Sequence, residues 1–178
     1  PHPVGGVKGP RPPGGARAGA DQARDAGWTT EDYLAAVLER EVRARNAAGA
    51  QLRIRAAGFG AVKTLEDFDF DVQPAARQQL GALASGGFLT EARNVVLLGP
   101  PGTGKTHLAT ALGVAAARNG HRVLFATATD WVTRLTDAHR AGRLPQELSR
   151  LRRFGLLIVD EVGYLPIQQD PAHLLFPL

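Results

Sequence analysis

Between Gly99 and Thr106 the chain reads Gly99-Pro100-Pro101-Gly102-Thr103-Gly104-Lys105-Thr106. This spacing of glycines, lysine and a hydroxyl suits the phosphates of a nucleoside triphosphate. Gly99, Gly102 and Gly104 carry no side chain, so the backbone can take unusual dihedrals and come close to an anion. The loop amides and the amino end of a following helix together form a cradle of partial positive charge. Lys105 offers a mobile cation to the terminal phosphates, and the Thr106 hydroxyl is an oxygen donor placed for magnesium. Pro100, Pro101, Thr103 and His107 complete the expected phosphate-side set; for His107 a surface or packing role stands as the alternative. A glycine-rich turn that binds nothing is the competing reading of the whole loop. Against it stand the apolar run Asn94-Val95-Val96-Leu97-Leu98 before the loop and the helix-forming sequence after it, the flanks the pattern requires.

A second set of chemically capable residues closes Leu156-Leu157-Ile158-Val159-Asp160-Glu161. Four apolar residues bring two carboxylates to the carboxyl end of a strand, the edge where open α/β sheets bind ligands. Asp160 is placed to hold magnesium directly or through a water, and Glu161 to orient and deprotonate an attacking water. Acids at strand ends also cap helices or simply face solvent. Coming after a phosphate loop with one strand between, this pair reads as the second half of the site.

The elements that must position these groups alternate. A strand at 94–98 leads into a helix at 105–119, then come a strand at 122–127 and a helix at 131–141 capped by Thr129-Asp130. A helix at 144–153 and a strand at 155–159, buried on both faces, follow. Strand and helix in alternation predict an α/β P-loop NTPase with a parallel-sheet core. Ahead of it, residues 1–20 are rich in Pro, Gly, Ala and Arg, a composition expected to be disordered. Residues 21–60 form a small helical appendage that starts at Thr29-Thr30-Glu31-Asp32, with Gly49 expected to kink or split it. Residues 61–90 are the linker, extended and packed on the surface of the nucleotide module where aromatic and acidic residues alternate, and helical at 73–85, after which 88–93 leads into the strand before the loop. Residues 91–178 are the nucleotide domain.

A chain of 178 residues, 44% hydrophobic and 21% charged, is long enough for one real core. With no cysteine, disulfides, thiol catalysis and thiolate metal sites are excluded. No apolar run is long enough to span a bilayer, which speaks against a membrane partner, and no signal peptide opens the chain; a cytoplasmic location is expected. His2, His121, His139 and His173 lack metal-ligand spacing with acids. Trp131 is expected in the core, with a partner-facing role as the alternative. The net charge of +4 is carried mostly by arginine, which fits an acidic partner, although a GC-rich genome also enriches arginine. Arg134, Arg140, Arg143, Arg150, Arg152 and Arg153 outnumber Asp130, Asp137 and Glu147. That excess forms a phosphate-binding face, a subunit interface or a solvated surface. The chain opens on proline and holds no methionine, as a fragment would.

With both motifs in place, the chain resembles the IstB/DnaC-like ATP-binding proteins. These are AAA+ ATPases that include transposition helpers of insertion sequences and loaders of bacterial replicative helicases. The likeness covers residues 21–178. It is carried by Leu65-Glu66-Asp67-Phe68-Asp69-Phe70, by the loop through His107-Leu108-Ala109, and by Asp160-Glu161-Val162-Gly163-Tyr164-Leu165-Pro166. The last of these, and the helical stretch Tyr33-Leu34-Ala35-Ala36-Val37-Leu38, look like the transposition-helper branch, whose N-terminal helices engage partners. The resemblance implies ATP and Mg2+ as cofactors and an ATP-dependent homo-oligomer. It further implies binding of duplex DNA without sequence preference and delivery of a transposase to its target.

The family's sheet continues into a strand bearing a polar sensor residue, then an arginine finger and a small lid. Those parts lie past Leu178, so the core is expected to be incomplete at its C-terminus, with a gap in the sheet, weak ATP binding and poor hydrolysis. A DnaC-like helicase loader and a catalytically impaired nucleotide-binding fragment remain open as alternatives, with a small-molecule kinase more distant.

Overall fold

β1 (Val123–Thr127) and β2 (Leu156–Asp160) pair in parallel, in register from Val123↔Leu156 to Thr127↔Asp160. The protein is seen in a computed structural model that describes residues 23, 25–71 and 74–164. The tail at 1–20, Gln73, Leu165-Pro166, His173 and the terminal Phe176-Pro177-Leu178 lie outside the described residues. Two units make up the chain, residues 1–45 and 46–178.

In the first unit, the Thr29 amide and hydroxyl donate to the Asp32 carboxylate while Thr29 Oγ1 accepts from the Asp32 amide. This reciprocal box starts α1 (Thr30–Ala56), as the Thr-Thr-Glu-Asp run predicts. Leu34, Val37, Leu38 and Val42 are exposed on it, and Glu39–Arg43 and Glu41–Arg45 pair one turn apart. The expected break at Gly49 does not occur, since α1 runs through it. A lone helical glycine costs only ~1 kcal/mol against alanine, and burial of Ala50 and Ile54 just beyond it offsets that.

The second unit places helices on both faces of the β1–β2 pair. Side chains alternate along a strand. Val123, Phe125, Leu156 and Ile158 therefore join Ile54, Ala57, Val114 and Ala117 on one face, the side of α4 (Lys105–Arg118). Leu124, Ala126 and Leu157 join Trp131, Leu135 and Leu151 on the other, the side of α5 (Ala128–Arg140) and α6 (Leu144–Leu151). Trp131 is 1% exposed, the core role expected of it, and its indole N–H donates to the Ile158 carbonyl. A third cluster joins Phe70, Leu80, Leu108 and Leu112 with Val95 and Leu97; it holds α2 (Pro74–Ala84) against α4. A single turn, α3 (Gly87–Thr90), follows α2 where a lead-in to a strand was expected.

Three local expectations need correction. Residues 95–98 form no strand, because no neighbour pairs with them among the described residues. They keep a strand's alternation, with Val95 and Leu97 half-buried and Val96 and Leu98 exposed. The cap of α5 is Thr127 rather than Thr129-Asp130, its Oγ1 accepting from the Asp130 amide. A cap needs extended backbone, which the last residue of β1 already has. β2 is not buried on both faces throughout, since Val159 is 40% exposed. Among the described residues no helix is long and apolar enough to cross a membrane. Parallel strands with helices on both faces make this the expected α/β P-loop architecture.

Candidate functional site

The loop is shaped by left-handed backbone at Gly102 (φ 80°) and Gly104 (φ 82°), where a Cβ would strain the chain. Gly104 is the N-cap of α4 and provides no side-chain cap, so the first-turn amides keep their donors for an anion. Within the loop, the Thr103 hydroxyl and the Lys105 ammonium both donate to the Pro100 carbonyl, at 2.9 and 2.6 Å. The ammonium thus lies folded over the loop it would serve. Pro101 and Gly102 are exposed, leaving the cradle open to solvent.

Asp160 ends β2, and parallel pairing sets it level with Thr127. The Thr106 hydroxyl donates to its carboxylate, 2.8 Å from Oδ2 and 3.1 Å from Oδ1. Two hard oxygen donors at contact distance beside a phosphate cradle fit magnesium, which is held by one or two protein oxygens plus phosphates. Glu161 follows with its side chain exposed and its backbone left-handed, φ 58°. That conformation costs a non-glycine residue of order 1 kcal/mol, and such strain clusters at functional sites.

His107 turns from the loop to the linker, where its Nε2 lies 2.8 Å from the Thr64 carbonyl oxygen and its ring meets Phe68 edge-on. The linker is turned rather than extended. The Thr64 amide and hydroxyl both donate to Asp67 Oδ2, and these bonds hold the Asp67 carboxyl below its usual value. Asp67, Phe68 and Asp69 line a cleft with Pro101, Gly102 and Thr103. The alternation of aromatic and acidic residues leads to the expectation of a linker packed on the nucleotide module, but no local pattern singles out which of its residues wall the loop. Of the arginines between Asp130 and Arg153, Arg134 is engaged by Glu147 and lies over Trp131. Arg140, Arg143, Arg150, Arg152 and Arg153 are exposed, with Arg150 also near Glu147.

Comparison with known proteins supplies an independent line. The family model described as IstB-like ATP binding protein matches residues 15–178. A putative ATP-binding protein of insertion sequence IS21 from Pseudomonas aeruginosa is 42% identical over 159 residues, 89% of this chain and 60% of that protein. A putative insertion sequence ATP-binding protein of Sinorhizobium fredii is 38% identical over 161 residues, 89% of this chain and 54% of its own length. The IS5376 putative ATP-binding protein of Geobacillus stearothermophilus is 34% identical over 158 residues, 88% of this chain and 63% of that relative. The chain thus spans between half and two thirds of the length of these relatives.

Proposed function

The chain belongs to the family of IstB-like ATP binding proteins, and from that premise we propose that it is the ATP-binding and ATP-hydrolysing part of a helper for DNA transposition. The observation that carries the nucleotide reading is the Thr106–Asp160 contact beside the uncapped amino end of α4. The loop amides from Gly102 to Thr106 bind the phosphates, and Lys105 leaves the Pro100 carbonyl for their terminal oxygens. A magnesium ion held by Thr106 and Asp160 would supply charge neutralisation at the β- and γ-phosphates. Glu161 orients a water towards the γ-phosphorus and takes its proton as the bond to the leaving ADP oxygen breaks.

Insertion-sequence relatives support a transposition setting, in which the protein assembles as a homo-oligomer, binds duplex DNA and recruits a transposase. Exposed Arg140, Arg143, Arg152 and Arg153 support contact with phosphates rather than base edges. Titration with a fluorescent ATP analogue and magnesium tests the first part. Binding lost in Lys105→Ala, and ATP retained unhydrolysed in Glu161→Gln, are the expected results; affinity unchanged in Lys105→Ala would refute the site. Duplex binding that strengthens with ATP and weakens with salt is expected for the second part, and salt-insensitive or absent binding would refute it.

A further inference from the structure

Residues 53–68 run the length of α4 from its carboxyl to its amino end. Arg53 Nε donates to the Ala117 carbonyl at 2.7 Å. The Phe59 ring stands 2.8 Å from where a Cβ on Gly113 would sit. His107 Nε2 meets the Thr64 carbonyl at 2.8 Å. Lastly, the Phe68 ring comes within 2.5 Å of a Cβ position on Gly104. The partners 117, 113, 107 and 104 descend as the chain advances from the end of α1 into the linker, so this stretch lies antiparallel on the helix and ends over the last glycine of the loop. A carbonyl only accepts, so His107 Nε2 carries the proton it shares with Thr64.

We propose that His107 is a positioning residue: by fastening Thr64 and Phe68 to the first turn of α4, it couples closure of the linker to triphosphate binding in the loop. The inference rests on the nucleotide reading above. Phe68 packs on Gly104, whose left-handed backbone shapes the cradle, so the linker's seating and the cradle's shape are adjusted together. Coupling between two such events is reciprocal: whatever the clasp adds to nucleotide affinity, nucleotide adds to the clasp.

Exposed Lys63 makes the Lys63–Thr64 bond a trypsin site at the edge of the clasp. The full chain is digested with and without a fluorescent ATP analogue and magnesium, following that bond by mass spectrometry, and analogue affinity is titrated in parallel. In the wild type, saturating analogue slows this cleavage by about tenfold, a size usual for coupling between sites. His107→Ala loses the protection and weakens binding by a similar factor. His107→Gln, which restores an N–H donor towards Thr64, recovers most of both. Should His107→Ala fail to fold, His107→Leu fills the space without a donor and takes its place.

Wild-type binding with no protection at Lys63–Thr64 overturns the coupling and leaves the nucleotide reading standing. So does protection that survives in the donor-free variant, or a His107→Gln as impaired as that variant. No analogue binding by the wild type overturns both.

Discussion

The Thr106 hydroxyl donates to the Asp160 carboxylate at 2.8 Å across 54 residues of sequence, joining the first turn of α4 to the end of β2. It brings together one residue from each of the two motifs and sets a magnesium-type oxygen pair beside the loop.

Thr106→Val keeps the β-branched shape and deletes the donor. Hydrogen bonds to charged groups contribute up to ~3 kcal/mol, but this pair is solvent-accessible, so the expected loss in urea unfolding is only about 1 kcal/mol. The larger effect falls on function: nucleotide affinity ceases to depend on magnesium in titrations with and without the ion.

Glu161→Gly separates stability from activity. Glycine takes the left-handed backbone at φ 58° without the Cβ penalty, which outweighs its extra unfolded-state entropy and is expected to stabilise by up to ~1 kcal/mol. Phosphate release falls to background in the same variant. A lower melting temperature would contradict the strain reading.

Gly113→Ala sets a helix gain against a clash. Alanine improves helix propensity by ~1 kcal/mol. Its Cβ, however, would stand 2.7 Å from Ile158 Cδ1 and 2.8 Å from Phe59 Cζ, and overpacking costs typically ~1–3 kcal/mol. The clash wins, and the variant unfolds at lower urea. Adding Phe59→Leu recovers part of the loss, a non-additivity that unfolding of the double variant measures.

Acid loosens the Thr64–Asp67 turn. Hydrogen bonds from the Thr64 hydroxyl and amide hold the Asp67 carboxyl below its ordinary value of 3.8. A depressed folded pKa gives a contribution that is full above the unfolded value and lost as pH falls through the folded one. The turn is therefore intact at neutral pH and weakens only below about 3.8. Carboxyl NMR titration should place Asp67 below typical aspartates, and Thr64→Val should bring it back up.

Much of the site was legible from residues near one another in sequence. The glycine spacing announced the left-handed turns at Gly102 and Gly104, and the apolar run before Asp160 announced a strand ending in acids. Errors came where a local rule met a distant partner. Gly49 carries a helix-breaking preference that burial of Ala50 and Ile54 overrides. Thr129-Asp130 looks like a cap, yet Thr127 already holds the extended backbone that a cap needs. Val95–Leu98 has a strand's alternation, but pairing requires a neighbour, and among the described residues it has none.

The amino-acid sequence by itself determined the loop, the acid pair and the order of helices and strands from α4 to β2, because dihedral preference and apolar period act within a few residues. Only the tertiary structure decided which acid meets Thr106, that His107 turns from the loop to Thr64, and that Phe68 covers Gly104. These contacts join residues brought close by packing along α4 and by the parallel register of β1 and β2, and no local spacing encodes that proximity.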